Sequence, residues 1–202
     1  MRIGGVVACS LSDFPGRIAA VVFTQGCNWR CPWCHNKALV HPERFTTPWR
    51  EADVLARLSA NRKKIDGVVV TGGEPTIQPD LAAFFHQLRS LGLETKLDTN
   101  GSRPQVVREM LQARLLDFVA MDIKAPWVRT SEAAGVPVAT AELEETLALL
   151  RSSGIEHQLR TTRWPGLTAE DEPAIKAIAQ GSPHVWQEYR PPADSGDAKT
   201  RP

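Results

Sequence analysis

The chain has 202 residues, 42% hydrophobic and 23% charged, an ordinary globular composition that fills one domain with a sizeable core. Lys+Arg 24 against Asp+Glu 23 leaves a formal charge of +1, with no run of like charges, which argues against a nucleic-acid partner. No stretch approaches the roughly 18 apolar residues of a membrane span, and Met1 to Ala8 lacks the apolar segment of a signal peptide; a cytoplasmic location without membrane contact is expected, where clustered cysteines more often mean metal or catalysis than disulfides.

Residues 2–8 and 17–24 are apolar and strand-like, and Ser12-Asp13-Phe14-Pro15-Gly16 between them is turn chemistry. The first segment reads as an N-terminal extension that pairs or caps, and Ile18 to Thr24 as the first core strand. Cys9 in the extension is expected to be a buried small residue. The core strand runs into Gly26-Cys27-Asn28-Trp29-Arg30-Cys31-Pro32-Trp33-Cys34-His35, where three of the four cysteines fall within eight residues, spaced C-x3-C-x2-C. Four readings of this loop compete. Structural cysteines pack as small hydrophobes, but these are clustered among polar neighbours. Structural zinc wants four ligands, and the only spare thiol is Cys9. C-x-x-C-H and C-x-x-C, the haem-attachment and dithiol patterns, leave Cys27 unexplained. An iron–sulfur cubane held by three cysteines instead of four leaves one iron free for a substrate or cofactor.

Downstream, Pro48 to Arg62 has helical spacing of Val54, Leu55 and Leu58, and Gly67 to Thr71 is a short apolar strand of the kind buried on both faces. The alternation continues: helix Pro79 to Leu91, strand Leu93 to Asp98, helix Pro104 to Ala113 with proline at its start, strand Leu116 to Ile123, helix Thr140 to Ser153, strand Ile155 to Thr162, helix Thr168 to Gln180 capped by Thr168, strand His184 to Tyr189. Six strands alternating with five helices predict a parallel sheet with right-handed crossovers. A full TIM-type barrel has eight strands and about 250 residues, so the expected fold is an α/β open, partial TIM-type barrel of about six strands. Residues 1–190 would form one domain, and 191–202 a disordered tail.

Function in such folds gathers at the carboxyl ends of the strands. After the first strand comes the cysteine loop; after the second, Gly72-Gly73-Glu74-Pro75, whose glycines let backbone approach a ligand; the third ends at Asp98-Thr99-Asn100-Gly101. The fourth ends in Met121-Asp122-Ile123-Lys124, where alternation puts Asp122 and Lys124 on one side. The fifth carries Arg160, the last Gln187. These residues converge on one polar pocket with the cysteines at its rim. Lys124 is expected between Asp98 and Asp122, where it or a bound cation would offset the two acids.

The cysteine loop resembles the signature of the radical S-adenosylmethionine (radical SAM) enzymes. The resemblance implies a 4Fe–4S cluster on Cys27, Cys31 and Cys34, S-adenosylmethionine (SAM) chelated to the fourth iron, and Trp33 near the adenine. Gly72-Gly73-Glu74 is similar to the segment that meets the SAM amino group, and Asp98, Asp122, Lys124 and Arg160 match polar positions around its ribose, carboxylate and substrate side. Along nearly the whole chain, SLSDFPGRIAAVVFTQGCNWRCPWCHN, GGEPTIQ, LDTNG, MDIKAP and QEYRP resemble the activating proteins of anaerobic ribonucleoside-triphosphate reductase. Ser12 to Gly16 and Asn36 are shared with other glycyl-radical activases, such as the pyruvate formate-lyase type, and small-molecule radical SAM enzymes use the same cofactor residues. The implied chemistry is reductive cleavage of SAM, with an electron from a flavodoxin or ferredoxin. Hydrogen abstraction from a glycine of the partner enzyme follows, with Lys124 and Arg160 as catalytic cations.

Overall fold

The computed structural model describes residues 1–191; of the expected tail, 192–202 lie outside the described residues. One seven-stranded sheet runs in chain order: β1 (Ile3–Ser10), β2 (Ala19–Thr24), β3 (Gly67–Gly72), β4 (Glu94–Thr99), β5 (Phe118–Asp122), β6 (Glu156–Arg163) and β7 (His184–Glu188). β2 to β7 are parallel in register with their neighbours. β1 pairs antiparallel with β2, so the N-terminal extension adds a seventh strand at one edge. β1 and β7 do not pair, and the barrel stays open.

The helices are α1 (Lys37–Val40), α2 (Glu51–Asn61), α3 (Leu81–Ser90), α4 (Pro104–Gln112), α5 (Thr130–Ala134), α6 (Thr140–Ser153) and α7 (Glu172–Ala179). The five long ones occupy the expected segments. α7 starts later than its sequence pattern because Thr168 and Asp171 form a capping box around a single 3₁₀ turn, Ala169–Asp171. α1 and α5 are too short to leave a periodic signal.

Strand alternation divides the apolar residues into two cores. Ala20, Val22, Val68, Val70, Leu97, Val119 and Met121 face outward, where Val54, Phe84, Phe85, Leu88, Val107 and Leu143 of the helices cover them. Ala19, Val21, Val69, Phe118 and Ala120 face the barrel interior together with Phe14. The Ser12–Gly16 turn is thus a plug. Phe14 is fully buried and meets the Phe118 ring edge-on, centroids 5.9 Å apart, while the Arg17 guanidinium lies 5.0 Å above it. Burying that ring is worth roughly 1.5–3 kcal/mol and closes the end of the barrel opposite the strand mouths.

Cys9 is exposed, not buried as expected. It lies on an edge strand, in a register irregularity between Val7 and Ser10, where no helix covers it. It also sits beside Ala19, the wrong end of β2 for the cysteine loop.

Candidate cofactor site

A cavity of about 230 Å³ opens at the strand mouths. Cys27, Cys31, Trp33 and Cys34 line one side; Gly72, Gly73, Glu74, Asp98, Asp122, Lys124, Arg160 and Gln187 line the rest. Every residue expected to hold the cluster or SAM therefore lines this one space. A second cavity, also about 230 Å³, shares Trp33, His35 and Gln187 with it and extends to Tyr189 and Arg190.

The cysteine loop is held by backbone and side chains from four directions. Gly26 N–H donates to Leu39 O at 2.7 Å, and Glu74 N–H donates to Gly26 O at 2.8 Å. A Cβ on Gly73 would come within 1.9 Å of that same Gly26 oxygen, and one on Gly72, at φ +114°, within 2.4 Å of Thr24 N. The close approach that these glycines permit is therefore between the β2 and β3 loops themselves. Asn28 Nδ2 donates to Ser102 Oγ at 2.7 Å, and Asn28 Oδ1 accepts from Asn100 Nδ2 at 2.9 Å. Two carbonyls at the end of α5 take donors from the loop: Arg30 N–H to Ala134 O, 2.8 Å, and Trp33 Nε1 to Ala133 O, 3.1 Å. Trp33 also stacks on Trp164, with centroids 5.7 Å apart and planes 5° from parallel, and Trp164 Nε1 donates to Lys124 O at 2.8 Å. The sequence pointed to none of Ser102, α5 or Trp164, and gave no sign that Asn28 and Asn100 join.

Glu74 is 1% exposed. Its Oε1 accepts from Thr76 N–H (3.0 Å), Thr76 Oγ1 (2.6 Å) and Thr99 Oγ1 (2.8 Å), and its Oε2 from Asn100 N–H (2.7 Å). The carboxylate thus staples the β3 mouth to the β4 mouth. Burial pushes its pKa up, against these four donors.

The cavity floor is a ladder of alternating charge across β4, β5 and β6. Lys96 pairs with Asp98. Asp98 Oδ2 takes Arg160 Nη1 at 2.9 Å, Asp122 Oδ1 takes Arg160 Nε at 3.0 Å, and Lys124 Nζ reaches Asp122 Oδ2 at 3.1 Å. The expectation of Lys124 between the two acids is corrected: Arg160 is the bridge. It is level with Asp122 on the neighbouring strand, and its planar fork spans both carboxylates. Lys124, beyond the strand end, reaches only Asp122, and its ammonium lies 5.1 Å from the Trp33 ring centroid. Burial would raise the Asp122 pKa, but Arg160 and Lys124 hold it below the ordinary carboxylate value. Burial would likewise lower the Lys124 ammonium, yet Asp122 and the Cys31 sulfur keep it above its usual value.

The thiols fit a polynuclear centre. All are free. Burial, aided by Glu74, pushes the Cys27 thiol up to about 12, and burial raises Cys31 too, against Lys124. Thiolates in such a place need a strong positive charge, which coordinated iron supplies. Among the described residues no three His, Cys, Asp or Glu converge on a single ion. The spare thiol, Cys9, lies at the far end of β2 and cannot complete a four-thiolate zinc site, while a cubane spreads three thiolates over separate irons. The ladder's three cations and two anions leave one positive charge for an anionic ligand group.

An open parallel barrel with three thiols at the mouth of its first parallel strand and a charged floor defines a class of cluster-dependent cofactor site. The profile of the Radical SAM superfamily matches residues 21–178, and the chain belongs to that superfamily, whose cofactors are a 4Fe–4S cluster on three cysteines and SAM. The chain is 29% identical over 197 residues to a Methanocaldococcus jannaschii protein named as a glycyl-radical enzyme activating enzyme, covering 94% of this chain and 80% of that one. It is 31% identical over 179 residues to the pyruvate formate-lyase-activating enzyme of Streptococcus mutans, covering 81% and 65%. Among solved structures, Streptococcus suis SuiB bound to S-adenosylmethionine shares the fold at TM-score 0.69 and 15% identity, over 90% of this chain and 42% of that one. No helix among the described residues is long and apolar enough to cross a membrane.

Proposed function

We propose that this chain is a glycyl-radical-enzyme activase acting on an anaerobic ribonucleoside-triphosphate reductase, with residues 1–190 as one domain, in the cytoplasm, and a flavodoxin or ferredoxin as electron donor. The observation that carries the reading is the near full-length similarity to an activating enzyme, joined to a three-thiol loop over a polar floor. Cys27, Cys31 and Cys34 hold the cluster, and Trp33, Gly72, Gly73, Glu74, Asp98, Asp122, Lys124 and Arg160 form the SAM site. When bound, these groups supply one-electron cleavage of the SAM carbon–sulfur bond and the oxidising equivalent that removes a hydrogen atom. The chain's own part is positioning. Arg160 and Lys124 would offer positive charge to the SAM carboxylate, Asp98 and Asp122 orient both cations, and Glu74 and Asn28 lock the loops that carry the thiols. The open side between β1 and β7 suits a protein segment as substrate, and a glycine has no side chain to obstruct entry.

The test is the reduced, cluster-loaded protein with SAM and the reductase of the same organism. Methionine, 5′-deoxyadenosine and a doublet in the electron paramagnetic resonance spectrum of the partner are expected, since one α-hydrogen remains on the glycine. A second reading, activation of a pyruvate formate-lyase type enzyme, is favoured by the Streptococcus mutans relative; a doublet on that partner alone would select it. No SAM cleavage with a full cluster and a strong reductant would end the enzyme reading.

A further inference from the structure

The charged ladder begins below the cavity. Its inner end is Lys96, 2% exposed, in the barrel interior level with Val69 of β3 and Phe118 of β5. Its ammonium pairs with Asp98 on its own strand and lies 5.8 Å from the Phe118 ring centroid. Arg160 from β6 and Asp13 from the plug turn are the other charges that bear on it. It does not line the cavity. A lysine buried among Phe14, Phe118 and Val69 is expensive, and an apolar residue of similar volume would often serve packing as well or better. Its position therefore needs a reason beyond packing, and the reason available is Asp98. With one oxygen on Lys96 and the other on Arg160 at 2.9 Å, that carboxylate has both its orientation and its charge balanced from two sides.

We propose that Lys96 is a positioning residue of the cofactor site, acting through Asp98 to hold the Arg160 guanidinium across the cavity floor and to keep that floor net positive. This rests on the reading of the cavity as the SAM site. Lys96→Met keeps the length of the side chain but leaves two cations against two anions, and it leaves Asp98 to pull Arg160 away from Asp122. Adding Asp98→Asn restores one net positive charge and removes the need for Lys96.

The experiment uses the full chain, cluster-loaded and anaerobic, as parent, Lys96→Met, Asp98→Asn and the double variant. SAM affinity is read by titration calorimetry, iron content by assay, and the thermal midpoint on cluster-free protein. Lys96→Met should retain iron and lose affinity by about tenfold. In the Asp98→Asn background the floor stays net positive, two charges falling to one, so the same substitution should cost clearly less affinity, and it should raise the midpoint, because it removes an unpaired buried ammonium. Equal losses in both backgrounds, or Lys96→Met within about twofold of the parent, would overturn the proposal. If Lys96→Met does not fold, the pair Asp98→Asn and double variant decides: a double variant less stable than Asp98→Asn and weaker in SAM binding refutes it. A parent that holds a full cluster and does not bind SAM would instead overturn the SAM-site reading, and this proposal with it.

Discussion

Arg160→Met is the sharpest test of the ladder. The guanidinium is 14% exposed and touches Asp98 and Asp122, 9% and 25% exposed, at 2.9–3.0 Å. Removing one partner from a buried charge pair costs about 3–5 kcal/mol. Each carboxylate keeps one lysine, Lys96 or Lys124, so the lower figure of about 3 kcal/mol applies. For a chain of this size each kcal/mol moves the thermal midpoint by roughly 2–4 °C, giving a fall of about 6–12 °C. The control is Arg108→Met, which breaks the Arg108–Glu145 pair at 2.5 Å, with both side chains 40% or more exposed. Screened by water, that pair is worth about 1 kcal/mol at most. Calorimetric melts of cluster-free protein at neutral pH read both variants. If Arg160→Met melts no lower than Arg108→Met, the ladder does not stabilise the fold and the argument from buried charge is wrong.

Gly73→Ala should fold, but with the cysteine loop displaced, because the new Cβ and Gly26 O cannot share a 1.9 Å separation; iron reconstitution should drop severalfold, and normal iron content would show the loops can part freely. Alanine at Cys27, Cys31 or Cys34 should abolish bound iron and the cluster's visible absorption, while Cys9→Ala should keep both; loss of iron in the Cys9 variant would refute the ligand assignment. Asp122 gives a pH signature: its folded pKa lies below the ordinary 3.8, so its contribution is complete above that pH and is lost as pH falls through the folded value. The stability gap between parent and Asp122→Asn should therefore close below about pH 3.8, and a gap that instead closes near neutrality would mean Asp122 is not held ionised.

What the sequence made legible was set by periodicity. Strict β/α alternation places all carboxyl strand ends on one face, so Cys27, Glu74, Asp98, Asp122 and Arg160 could be brought together without knowing any contact. What stayed hidden depended on the reach of single side chains across neighbouring strands. Whether Arg160 or Lys124 bridges the acids is decided by register, because Arg160 is level with Asp122 and Lys124 has passed the strand end. Lys96 was within reach of the same i, i+2 rule that joined Asp122 to Lys124, since it shares a face with Asp98, but in a strand of mixed polar residues, Glu94-Thr95-Lys96-Leu97-Asp98-Thr99, it carried no motif. Asn100 follows Asp98 at a strand mouth; that its amide latches Asn28 in a loop 72 residues earlier has no local signal.

Those long-range latches explain how one short loop can present three thiols reliably. Gly26 is fixed by the β3 turn and α1, Asn28 by the β4 turn, and Arg30 and Trp33 by the end of α5. Each anchor is an ordinary hydrogen bond of about 1 kcal/mol net, yet together they restrain Gly26, Asn28, Arg30 and Trp33, leaving the loop little freedom to lose when the cluster binds. The loop's own contacts with the hydrophobic clusters come from Cys27, Trp29, Cys31 and Trp33. The cysteine spacing is thus a necessary condition that the sequence states openly, and the sufficient one, a preformed cradle, is distributed over Asn100, Ser102, Ala133, Ala134 and Trp164.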